Sequence, residues 1–150
     1  MYSKKQLGNI NGAAFKLNQL RLINQQLVNS RCKTAEEVVA GLGAVQAQDY
    51  LNSLWAIGLR IPGSTMADIE LAIDQRKIIR TWPMRGTLHF VLPQDVRWML
   101  ELLTPRVIRA NASVYRSRGL NDDIFNRSRK LFENALQGGH KLTREKMYAV

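Results

Sequence analysis

The sequence predicts a mainly α-helical fold with one small β-hairpin, on three observations. Apolar residues recur at three- and four-residue spacing along much of the 150-residue chain. Helix-starting signals precede these runs: Thr34 with Glu37, Asp49, Thr65 with Asp68, Asn121 and Thr143. One stretch, IIRTWPMRGTLHFVL, instead joins two β-rich runs through turn-forming residues.

Taken in order, a polar N-terminal arm precedes Leu20, Ile23 and Leu27, whose spacing predicts a short helix from Asn18 to about Val28. Thr34 and Glu37 match a capping box for a second helix, with Val38, Val39, Leu42 and Val45 as its apolar face and Gly41 and Gly43 weakening its end. Asp49 caps a third helix through Leu51, Leu54, Trp55 and Leu59. After the turn Pro62-Gly63-Ser64, a fourth helix runs to about Lys77, with Met66, Ile69 and Ile73 facing the core. The hairpin turns through Pro83, Met84, Arg85 and Gly86, and Leu88, Phe90 and Leu92 share its buried face. Beyond Pro93, the residues Val96, Met99, Leu103 and Val107 mark a long helix. Asn121 opens another through Ile124, Ser128, Leu131 and Ala135, closed by Gly138 and Gly139, and the two are expected to pack as a helical hairpin.

Helices followed by a hairpin in a basic chain form the element order of a winged helix-turn-helix. The expected organisation is a basic arm over 1–17, a winged-helix domain over 18–92, a helical hairpin over 93–139 packed on it, and over 140–150 the truncated start of a further unit. Trp55, Trp82 and Trp98 are expected to pack inward.

Lys and Arg number 22 against 12 Asp and Glu, a formal charge of +10, which favours a polyanionic partner. Acids are absent from Met1 through Ala35, from Gln75 through Gln94 and from Leu102 through Asn121. Each stretch is either an edge of a phosphate-facing surface or a solvated helix face. The single cysteine, Cys32, forms no intrachain disulfide and fits a reducing cytoplasm. No segment reads as a signal peptide or a membrane span. The two histidines, His89 and His140, lie far apart in sequence, so no metal cluster is expected. Phosphate-loop, nucleophile-elbow and dinucleotide motifs are missing, and no nucleotide or other cofactor is expected.

The stretches RLINQQL, EEVVAGLGAVQAQDY, LWAIGLR and RTWPMRGTLHFVLPQDVRWM together resemble the winged-helix DNA-binding proteins of the AlkZ and YcaQ type. The resemblance runs from about Leu20 to Met99, with QAQD and RTWPMRGTLH its most specific parts. It implies a bacterial DNA glycosylase acting on alkylated or crosslinked purines in double-stranded DNA and built from tandem winged helices. Members are considerably longer, so this chain would hold one winged helix and the threshold of a second. Their catalytic motif is Gln, an aliphatic residue, then Gln or Asp, which falls here on Gln46, Ala47 and Gln48, with Ala47 a small filler in the middle place.

That chemistry is physically sensible, because an alkylated purine is already cationic and leaves as a neutral base. What remains is to place a water, which a glutamine carbonyl can do although a neutral amide is no strong base. Residues two apart point the same way only in extended backbone, so joint action of Gln46 and Gln48 requires a nonhelical junction. Without the resemblance, the pair reads as polar residues satisfying helix ends. Asp49 is a further candidate as base, weighed against its capping position. Arg80, Arg85 and His89 on the hairpin, with Arg106 and Arg109, are the expected DNA contacts, His89 facing outward. The competing function is a noncatalytic winged-helix DNA binder such as a transcription regulator, which should carry an exposed basic recognition helix.

Overall fold

The computed structural model describes residues 17–150. The expected arm over 1–17 therefore lies outside the described residues except for Leu17. The first element, α1 (Leu17–Asn24), stops short of the expected Val28, because Gln26 and Asn29 take left-handed backbone that no helix continues through. Arg60, only 8% exposed, ties the following segment down: its Nε donates to the Gln25 carbonyl at 2.8 Å, and Ser30 Oγ donates to the Arg60 carbonyl. Desolvation lowers the pKa of this guanidinium.

Helix α2 (Ala35–Leu42) starts where Thr34 accepts from the Glu37 N–H, and Gly43 ends it at φ +76°. That left-handed turn releases Val45 from the helical face expected for it, into a short strand, β1 (Val45–Gln46). Helix α3 (Tyr50–Gly58) follows, then α4 (Met66–Asp74), whose capping box joins Thr65 and Asp68 reciprocally. The backbone and side-chain bonds from Thr65 lower the pKa of the Asp68 carboxyl. Helix α4 ends three residues before Lys77, since Arg76 is left-handed at φ 59°.

Strands β2 (Ile79–Met84) and β3 (Thr87–Val91) form the hairpin. The turn is tighter than expected: only Arg85 and Gly86 occupy it, both at positive φ, as a two-residue type I′ loop requires, while Pro83 and Met84 belong to the strand. The three strands form one antiparallel sheet in the order β1-β3-β2. The protein is thus mainly α with a small β part. Its core collects Val38 and Val39 of α2, Leu54 and Ile57 of α3, Ile69 and Ala72 of α4, and Phe90 of the central strand. Each large side chain fully buried there contributes about 1.5–3 kcal/mol.

The helical face of α3 differs from the expected one. Leu54 and Ile57 face the core, whereas Leu51, Trp55 at 67% and Leu59 are exposed, as is Met66 of α4. Spacing alone admitted both stripes of this almost wholly apolar helix, and tertiary packing chose between them.

Helix α5 (Pro93–Ala110) buries Met99 and contains Pro105. The chain divides into two compact units, Met1–Thr104 and Pro105–Val150, at the residue whose ring removes an intrahelical N–H. In the second unit a short α6 (Ala112–Ser117), absent from the sequence reading, precedes α7 (Asp122–Ala135), capped by Asn121 as expected. Tyr115 meets Phe125 edge-to-face at 5.5 Å. After Gly138 and Gly139 at positive φ, α8 (Arg144–Tyr148) opens at Thr143.

Candidate active site on the first strand

Gly43 turns the chain out of α2 into β1, which carries Gln46 and leads through Ala47 and Gln48 to α3. Val45 pairs with Phe90 and Gln46 with His89, and the ladder continues as the Ala47 N–H donates to the Leu88 carbonyl at 2.8 Å. Side chains therefore alternate: Val45 and Ala47 are buried, Ala47 wholly so, while Gln46 and Gln48 are exposed. The backbone is nonhelical, as joint action of the two amides requires: β1 ends at Gln46, the chain bends at Gln48, and both side chains border one recess. Gln46, Gln48, Asp49, Asn52 and Ser53 line a recess of about 250 Å³.

The polar groups of this recess are unequal. Gln48 Oε1 accepts from the Leu88 N–H at 3.1 Å, which fixes the side chain and turns its NH2 outward. No hydrogen bond engages the Gln46 side chain among the described residues. Asp49 spends both carboxylate oxygens on Asn52, accepting its backbone N–H at 3.1 Å and its side-chain amide at 2.8 Å, the geometry of an N-cap.

Arg80 faces the other side of the sheet. It pairs with Phe90, which pairs with Val45, so these three side chains share the core face, opposite Gln46. Its guanidinium donates to the Ala47 carbonyl through Nε at 3.0 Å and Nη2 at 2.8 Å, approaches the Gln48 carbonyl at 3.5 Å, and lies 5.3 Å from the Tyr50 ring centroid. Burial, then the charge of Glu70, raise the pKa of the Tyr50 phenol, opposed by Arg80. Sequence reasoning expected Arg80 on phosphate and missed these bonds, because they join positions 33 residues apart. In-register pairing of Arg80 with Phe90 was the readable signal that this arginine points inward.

His89, expected to face outward, is 3% exposed. Its Nδ1 lies 2.9 Å from the Thr87 carbonyl, which only accepts, so the ring donates there and presents Nε2 as acceptor when neutral. Arg85 is exposed at the hairpin tip, and Arg106 and Arg109 are exposed on α5. Trp82, expected in the core, is 60% exposed on β2, and Trp98 is about half exposed with its Nε1 donating to Asp95 Oδ1 at 2.8 Å. Only two ion pairs occur among the described residues, Lys77 with Glu36 and Arg97 with Glu101, leaving most cations to solvent or to a polyanion.

A family model described as DNA glycosylase AlkZ-like matches residues 39–147, well over half of the chain and the whole of this site. Among curated proteins and among solved structures, nothing matches.

Proposed function

Since the chain belongs to the AlkZ-like DNA glycosylase family, we propose that it carries the catalytic strand of a repair enzyme that hydrolyses the N-glycosidic bond of alkylated or crosslinked purines in double-stranded DNA. The observation that carries this reading is the pair Gln46 and Gln48, both exposed and bordering one recess at a nonhelical junction whose middle residue is wholly buried. The element order α2-β1-α3-α4-β2-β3 and the sheet order β1-β3-β2 support a winged helix as the frame. Helices α5 to α7 follow it, and 140–150 is read as the start of a second winged helix.

The substrate base is extruded from the duplex to reach such a recess. Its cationic ring takes the electron pair of the breaking bond and leaves neutral. Water adds to C1′, an abasic site results, and the surplus proton passes to solvent. Gln46, with its amide unengaged, orients the water through its carbonyl. Gln48, fixed by Leu88, presents its outward NH2 as a donor to the oxygen of that water and helps hold it for attack. Asp49 acts as a helix cap. Arg85, Arg106 and Arg109 contact phosphate, the work is done in the cytoplasm, and no membrane or cofactor takes part. No helix among the described residues is long and apolar enough to cross a membrane.

The regulator alternative needs a basic helix for the major groove. Neither candidate fits: α3 carries no charge, and the charged residues of α4 are Asp68, Glu70 and Asp74. Incubation with duplex containing N7-methylguanine tests the proposal. Release of free base and an alkali-labile abasic site are expected, whereas tight duplex binding with no release from any alkylpurine substrate contradicts it.

A further inference from the structure

We infer that Arg80 is a positioning residue for the glutamine pair, acting through the backbone of β1 rather than on DNA. This rests on the glycosylase reading and names how its site is held. In an antiparallel ladder, a hydrogen-bonded pair exchanges both N–H···O bonds. Ala47 and Leu88 form such a pair but exchange only one: the Ala47 N–H reaches the Leu88 carbonyl at 2.8 Å, while the Leu88 N–H donates instead to Gln48 Oε1 at 3.1 Å. The Ala47 carbonyl, which would have taken that N–H, is occupied by Nε and Nη2 of Arg80 at 3.0 and 2.8 Å.

The guanidinium thus substitutes for a ladder partner, and the freed N–H holds the Gln48 amide. Two donors on one carbonyl, a third contact at 3.5 Å to the Gln48 carbonyl, and the Tyr50 ring beneath the cation fix the fork in one orientation. Without it, the Ala47 carbonyl recovers the Leu88 N–H and the Gln48 side chain swings free. A lysine places its charge nearby but supplies no planar fork, so it restores the arrangement in part. Because Arg80 sits on the core face, it neither meets phosphate nor contributes to affinity.

The test compares the chain with Arg80→Ala and Arg80→Lys, using N7-methylguanine duplex at saturating enzyme, with the dissociation constant measured in parallel. The expected result is a single-turnover rate about 10-fold or more lower for Arg80→Ala, intermediate for Arg80→Lys, and a dissociation constant within about threefold of the parent. An Arg80→Ala rate equal to the parent, or a loss confined to the dissociation constant, overturns the inference. Should Arg80→Ala fail to fold, Arg80→Lys carries the test through the side-chain NH2 resonances of Gln48, identified by their loss in Gln48→Ala. A shift of that pair supports the inference and an unmoved pair overturns it. A parent chain that releases no base contradicts the glycosylase reading itself, and the resonance measurement then still decides whether Arg80 holds Gln48.

Discussion

Asp49 separates a capping role from a catalytic one, because the two respond oppositely to removal of charge alone. Its carboxylate accepts the Asn52 N–H at 3.1 Å and the Asn52 side-chain amide at 2.8 Å, and its carbonyl accepts the Ser53 N–H at 3.1 Å as α3 begins. Replacing an N-cap aspartate by alanine costs about 0.5–2 kcal/mol, and the extra bond to Asn52 places this site toward the upper half of that range. For a chain of this size, each kcal/mol moves the melting temperature by about 2–4 °C, so Asp49→Ala is expected to melt about 2–8 °C lower. Asp49→Asn keeps an acceptor oxygen for the Asn52 N–H but gives up the bond from the Asn52 side-chain amide, and it loses the interaction of charge with the helix N-terminus, worth about 0.3–1 kcal/mol at an exposed position. Its melting temperature should fall by roughly half as much or less, and base release should continue at close to the parent rate. Thermal melts followed by circular dichroism and single-turnover excision supply the two readouts. An Asp49→Asn protein that melts like the parent yet loses excision by about 100-fold would make Asp49 the base and refute the capping argument.

At the hairpin tip, Arg85 holds φ 53°, so Arg85→Asn should melt at or above the parent, whereas the β-branched Arg85→Val should lose about 1–2 kcal/mol, read by the same melts. Duplex affinity measured by fluorescence anisotropy should fall linearly in log-log form with salt, and Arg106→Ala and Arg109→Ala should each reduce that slope by about one, while Arg80→Lys leaves it unchanged. A slope untouched by both α5 substitutions would remove them from the phosphate contacts.

Much of the fold was legible because its signals are local. Thr34, Asp49, Thr65, Asn121 and Thr143 cap helices through bonds three residues away, and each cap stands where the sequence placed it. The hairpin was legible for the same reason, since a glycine between two β-rich runs acts locally. Strand β1 was not: two residues give no period to read, and its existence depends on an edge that Phe90 and His89 supply from far along the chain. That omission also hid the acceptor that Arg80 reaches, the Ala47 carbonyl. The tryptophans failed for a different reason. Trp55, Trp82 and Trp98 lie in segments where apolar spacing fits more than one face, and size alone did not predict burial.

The glutamine pair was legible as a place but not as a mechanism. Residues two apart beside a glycine stop and a helix cap required a nonhelical junction to act together, and the backbone there is nonhelical. That Gln48 is tied to Leu88 while Gln46 is unengaged could come only from coordinates.

The most direct measurement is the single-turnover excision rate of Gln46→Ala on N7-methylguanine duplex at saturating enzyme, set against its duplex affinity. Gln46 makes no hydrogen bond within the described residues, so its loss leaves the fold intact and removes only what it does to substrate and water. The account predicts a rate about 100-fold or more below the parent with affinity within about threefold. A Gln46→Ala protein that excises at the parent rate would contradict it.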